Sequence, residues 1–243
     1  MGALALYIED EGVPTVGLSL VREHTAALKP PRALWVPFML GRPLGVPDDP
    51  AFQQRVVLAA LKLFERESGP VLEDFPEDAP ASAAADNLEG MVCAVDFGGA
   101  QKDATLAELV HAEIGQLRSW YDIAVKRRGR TALGAAGAPV ETLVDYVAAY
   151  SDGKQAPAYR SDIPPANALR LACEEIKSFY FEAIAGQPGT RAPVEVQRWF
   201  WHETSAGRLV FALYDALKNS SDDRLRYFVQ ESLIPRAARE TRS

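Results

Sequence analysis

Residues 34–47, "LWVPFMLGRPLGVP", constrain the fold more than any other stretch of this chain. An apolar run rich in Val, Phe and Trp stops abruptly. It gives way to two glycines, three prolines and one arginine, and then to "DDPAFQQRVVLAALKLFERE". Asp48 or Asp49 can cap the helix that this last segment predicts, with Pro50 in its first turn. Phe52, Val56, Ala59, Ala60, Leu63 and Phe64 recur at helical spacing as far as about Glu67. A strand that delivers a rigid Gly/Pro loop onto a helix start is characteristic of layered α/β folds, and such junctions often hold ligands.

The segments before it follow the same pattern. "GALALYIEDEG" predicts a helix closed at Gly12, "VPTVGLSLV" a buried strand, "REHTAALKPPR" a short helix or loop, and "ALWVPF" a second strand. "GPVLEDFPEDAPASAAADNLEG" reads as a strand end and an exposed connection, and "MVCAVDFGG" as a third strand. After residue 100 the helical period dominates. "DATLAELVHAEIGQLRSWYDIAVKRRG", "APVETLVDYVAAYSDG", "PPANALRLACEEIKSFYFEAIAG", "VEVQRWFWHETSAGRLVFALYDALKN" and "DRLRYFVQESLIP" all read as helical. The expectation is an α/β fold: residues 1–100 form a layered α/β domain with a mainly parallel sheet, and the α-rich residues 101–243 pack on it and share its core.

A net charge of −7 argues against a nucleic-acid partner, and the only basic cluster, residues 126–130, suits the C-terminal end of a helix dipole. No apolar run is long enough to span a bilayer, and the N-terminal segment lacks the basic flank of a signal peptide. The cytoplasm is therefore the default compartment. Cys93 and Cys173 lie far apart in apolar surroundings, which suits buried thiols better than a disulfide framework, a metal site or a CxxC motif. His24, His111 and His202 form no metal-ligand spacing, and no nucleotide-binding fingerprint is present, so no metal and no cofactor are expected.

Two places carry candidate chemistry. Arg42, held between Gly41 and Pro43 with Gly45 close behind, suits a carboxylate or phosphate; it can equally be a surface arginine on a rigid turn. Arg32, after "KPP", projects near the same edge. The second place is "RWFWHETSAGR", where Trp199, His202 and Glu203 fall at helical neighbour spacing. Trp199 would wall a pocket in which His202 or Glu203 serves as acid or base. The alternative is aromatic packing onto the sheet, with Glu203 paired to an arginine.

Residues 8–43 also carry a resemblance. Ile8, Glu9, Gly12, Val13 and Pro14, followed by Pro37, Leu40, Gly41 and Pro43 and then by a long helix and "VLEDF", resemble the C-terminal part of protein B of the glycine/sarcosine/betaine/D-proline reductases. The likeness spans about a third of the chain. It implies a scaffold or substrate-binding subunit of a thiol- or selenol-dependent reductase that breaks a carbon–heteroatom bond in a small anionic substrate. In that family the Cys or selenocysteine motif lies just before the helix that begins here at Gly2. The resemblance thus implies that the nucleophile sits on a small partner subunit or an N-terminal segment, or has been lost in a descendant without redox chemistry. A heteromeric or homomeric assembly follows from the first case. The rival expectations are a non-catalytic partner-binding protein and an acid/base enzyme using His202 and Glu203.

Overall fold

The computed structural model describes residues 2–79, 104–154, 156, 158–188 and 193–242. The chain divides into two compact units, Met1–Asp86 and Asn87–Ser243. Each has its own apolar cluster. "MVCAVDFGG", read as a strand, lies outside the described residues, as does Cys93.

The N-terminal unit is a small α/β layer. Helix α1 (Gly2–Asp10) ends at Gly12, whose φ of 82° places it in the left-handed region where a glycine C-cap belongs. Strand β1 (Gly17–Ser19), helix α2 (Arg22–Leu28), strand β2 (Arg32–Trp35), helix α3 (Pro50–Lys62) and strand β3 (Val71–Asp74) follow. The strands form one parallel sheet in the order β1-β2-β3, with Leu18 opposite Leu34 and Leu34 opposite Glu73. The expected α/β character and parallel sheet are therefore present, and "VLED" supplies the third strand. β1 is not the buried strand that its composition suggests. Among the described residues it lies at the edge of the sheet, and Leu18 is exposed.

Leu34, Val36, Phe38, Phe52, Val56, Ala60, Leu63 and Phe75 form the core beneath α3. Phe38, Phe52 and Phe75 meet edge-on or tilted at centroid distances of 5.5, 5.9 and 6.0 Å, geometry that favours aromatic rings. Asp49 caps α3 by accepting the Phe52 amide at 3.0 Å, with Pro50 in the first turn. The Gly/Pro loop is tied to the same helix, since Gln53 Nε2 donates to the Val46 carbonyl at 2.8 Å.

The C-terminal unit is all helical among the described residues: α4 (Leu106–Arg128), α5 (Val140–Ser151), α6 (Pro165–Gly186), α7 (Pro193–Glu203), α8 (Ser205–Leu217), α9 (Asp223–Phe228) and α10 (Arg236–Glu240). Thr105 and Glu108 close a full capping box on α4, each bonding the other's backbone amide. "VEVQRWFWHETSAGRLVFALYDALKN" is two helices rather than one. Thr204 stops α7 by adopting an extended backbone and caps α8 through the Gly207 amide at 2.9 Å. Close packing makes two glycines necessary. A Cβ on Gly186 would overlap the Trp120 carbonyl oxygen, and one on Gly207 would overlap that of Phe200. None of the described helices is long and apolar enough to cross a membrane.

Candidate functional site

In the N-terminal unit, a groove of about 370 Å³ opens among α1, β1, α2 and the start of β2. Its body is aliphatic, with Leu4 and Ile8 on α1, Leu18 and Leu20 along β1, and Leu28 on α2. A mostly apolar cleft of this size with a few convergent polar groups is the usual form of a small-ligand site. The polar groups are Thr15, Ser19, His24, Thr25 and Arg32.

The local sequence explains how they converge. Glu9, in the last turn of α1, accepts the Thr15 amide at 2.7 Å and the Thr15 hydroxyl at 2.9 Å. It also takes Arg32 Nη1 on both carboxylate oxygens, at 2.8 and 3.0 Å. Partial burial pushes the Glu9 carboxyl upward. The Thr15 amide and hydroxyl together with the Arg32 guanidinium outweigh that and hold it below the usual carboxylate range. Arg32 Nη2 donates to the Arg66 carbonyl at 3.2 Å, while its Nε is buried with no hydrogen-bond partner among the described residues. Across the groove, the Ser19 and Thr25 hydroxyls lie 2.5 Å apart, and both reach the Val21 carbonyl.

Of the residues singled out in the sequence, Arg32 lines this groove. Arg42, Gly41, Pro43 and Gly45 do not. Arg42 is half-buried; its backbone amide donates to the Met39 carbonyl at 3.0 Å, while its side chain makes no hydrogen bond or ion pair among the described residues. Gly45 has a packing role. Its φ is 85°, and a Cβ there would come within 2.5 Å of the Phe52 ring. Gly2, the first residue of α1, lies at one end of the groove beside Leu28 and Pro30.

In the C-terminal unit, Trp199, His202 and Glu203 do not form a common wall. Trp199 is buried with its ring 5.9 Å from that of Tyr180 on α6. His202 and Glu203 are exposed: His202 contacts the Thr241 hydroxyl at 3.1 Å, and Glu203 lies 4.0 Å from Arg198. Acid/base catalysis works through groups fixed in a pocket, and neither residue lines one of the two described grooves. The second groove lies between the start of α6 and α9, flanked by Arg170, Arg224 and Tyr227. Cys173 is buried, and burial pushes its thiol up to about 12, far from nucleophilic range. No cluster of metal-ligating side chains occurs among the described residues.

Sequence reasoning missed three buried glutamates. Glu113 accepts the Tyr180 hydroxyl at 2.7 Å and the Ser205 amide at 2.6 Å, so it fills the positive N-terminal end of α8. Glu175 accepts the Gly134 and Ala136 amides, and Glu182 accepts the Thr131 hydroxyl and the Ala132 amide. Together these two anchor the α4–α5 connection. The available signal was position, because each glutamate interrupts an apolar helical stripe, as Glu113 does between Val110, Ile114 and Leu117. Comparison of the chain with family models, with curated proteins and with solved structures finds no match.

Proposed function

We propose that this chain is the scaffold or substrate-binding subunit of a thiol- or selenol-dependent reductase that cleaves a carbon–heteroatom bond. One observation carries the reading. Of the residues behind the family resemblance, Ile8 lines the groove and Glu9 bonds its lining residues Thr15 and Arg32, and Gly2, next to which that family places its nucleophile, lines it too. Glu9 of "IEDEG" organises Thr15 and Arg32, and the turn at Gly12 sets the course of the chain into β1. Arg32 supplies positive charge beside an aliphatic cleft, which suits a small anionic substrate. The nucleophile would come from a partner subunit or preceding segment, attacking a substrate held with its anionic group toward Arg32.

The test begins with the DNA upstream of the Met1 codon, read in every frame with TGA as selenocysteine. The product of any frame carrying a Cys or selenocysteine motif is then co-expressed with this chain. The expected result is a complex whose dithiol-driven reductive cleavage is abolished by iodoacetamide. Activity that survives alkylation would overturn the reading, as would the absence of any such motif.

A second reading, a partner-binding protein without catalysis, is favoured by the distribution of apolar surface. Among the described residues, the N-terminal unit leaves eleven large apolar side chains exposed, including Leu4, Tyr7, Leu58 and Phe64. The larger C-terminal unit leaves three: Ile123, Val194 and Tyr227.

A further inference from the structure

The shape of the groove around β1 identifies more than a small-molecule cleft. Side chains alternate between the faces of a strand, so a pocket lying over one face touches every second residue. This groove is lined by every residue from 15 to 21. It therefore wraps the edge of β1 that pairs with no strand among the described residues. The ladder shows what lies on that edge. The Val36 amide donates to the Ser19 carbonyl at 2.9 Å, so Ser19, and by alternation Gly17, direct their backbone groups toward β2. Leu18 directs its N–H and C=O the other way, into the groove. β1 is short and reads Gly-Leu-Ser, with neither a proline nor a charged side chain on the strand to block pairing.

We infer that this edge of β1 is a docking site where an extended, basic-flanked apolar segment of a partner protein adds as a fourth strand. Backbone hydrogen bonds to Leu18 would hold the segment, and its alternate side chains would enter the aliphatic groove between α1 and α2. The rim specifies the flanks. Asp10 and Glu11, at and just after the end of α1, and Glu23, in the first turn of α2, are exposed and make no ion pair among the described residues; the exposed cations nearby are Lys29 and Arg22, the latter paired with Asp74. A second copy of this chain is disfavoured as occupant, because it brings the same net charge of −7 against that acidic rim. Strand addition needs no thiol and no redox partner, so it stands or falls separately from the reductase reading.

The experiment uses the full chain and a fluorescein-labelled peptide, Lys-Lys-Val-Thr-Val-Thr-Val-Lys, followed by anisotropy and by hydrogen exchange at the Leu18 amide. Two comparison peptides are used, one with its valine amides N-methylated and one with glutamate replacing lysine. The expected result is saturable binding with slowed exchange at Leu18, weakened about tenfold or more by either change. Leu18→Pro removes the outward amide together with the leucine side chain and should abolish binding, whereas Leu18→Ala, which keeps the amide, should retain it in part; circular dichroism shows that the fold is retained. No binding would overturn the inference. Binding indifferent to N-methylation would also overturn it, in favour of a cleft that takes side chains or small molecules alone. Concentration-dependent protection of Leu18 without peptide would overturn it in favour of a second copy.

Discussion

Glu9 and Arg32, 23 positions apart, form the most shielded ion pair described in the N-terminal unit, with side-chain exposures of 23% and 12%. The other pairs of that unit, such as Arg22 with Asp74 and Arg55 with Glu77, are about half exposed and contribute little. The Glu9 carboxylate joins the end of α1 to the approach to β1 and the start of β2, so one residue sets the width of the groove.

Replacing Glu9 with Gln should lower the stability of the chain by about 1–3 kcal/mol at pH 7, since Arg32 is left without its anion. The pH dependence has a definite sign. The folded-state carboxyl lies below its unfolded value, so the stabilisation is complete above the unfolded range and is lost as pH falls through the folded pKa. Urea titrations of wild type and Glu9→Gln from pH 7 downward should show a gap that narrows only in acid. A gap constant down to pH 3 would rule out the charged pair as its source.

Glu113→Leu should be among the most destabilising substitutions in the C-terminal unit, at about 3 kcal/mol or more, because it strands the Tyr180 hydroxyl and the Ser205 amide away from water. Glu113→Gln keeps an acceptor and should cost less. Tyr180→Phe in the Glu113→Leu background should recover part of the loss by removing one stranded donor. Thermal unfolding of wild type, Glu113→Leu, Tyr180→Phe and the double variant gives the coupling directly.

Three glycines separate backbone crowding from helix propensity. Gly207→Ala and Gly186→Ala drive a methyl group into a carbonyl oxygen of a neighbouring helix and should each cost about 2–4 kcal/mol. Gly115, exposed on α4 with nothing near its would-be Cβ, should gain about 0.5–1 kcal/mol on substitution by Ala. Denaturation midpoints that move the same way at all three positions would contradict the packing described.

Cys173 should resist iodoacetamide at pH 8 in the folded chain and react on unfolding, because burial holds it as a thiol. Peptide mass mapping after labelling, with and without denaturant, reads this out. Native-state labelling of Cys173 would mean that α6 opens or that its thiol is accessible.

The local grammar of this chain was legible before its structure. Gly12 at the end of α1, the Asp49–Pro50 start of α3 and the apolar stripes of α4 to α6 follow from backbone preferences and periodicity. Those signals act over one or two turns and need no distant partner. Three outcomes depended on contacts that no local pattern encodes. Strand position in the sheet decided that β1, apolar enough for a core, lies at an edge among the described residues, with Leu18 exposed. Glu113, Glu175 and Glu182 look like solvent-facing carboxylates in sequence, yet each is buried because distant backbone amides or hydroxyls satisfy it. Arg32 rather than Arg42 lines the groove because Glu9 draws it there. Residue type and spacing set which helices and strands could form; which side chains met across them was decided by the free energy of burying polar groups with their partners, a quantity that exists only once the chain has folded.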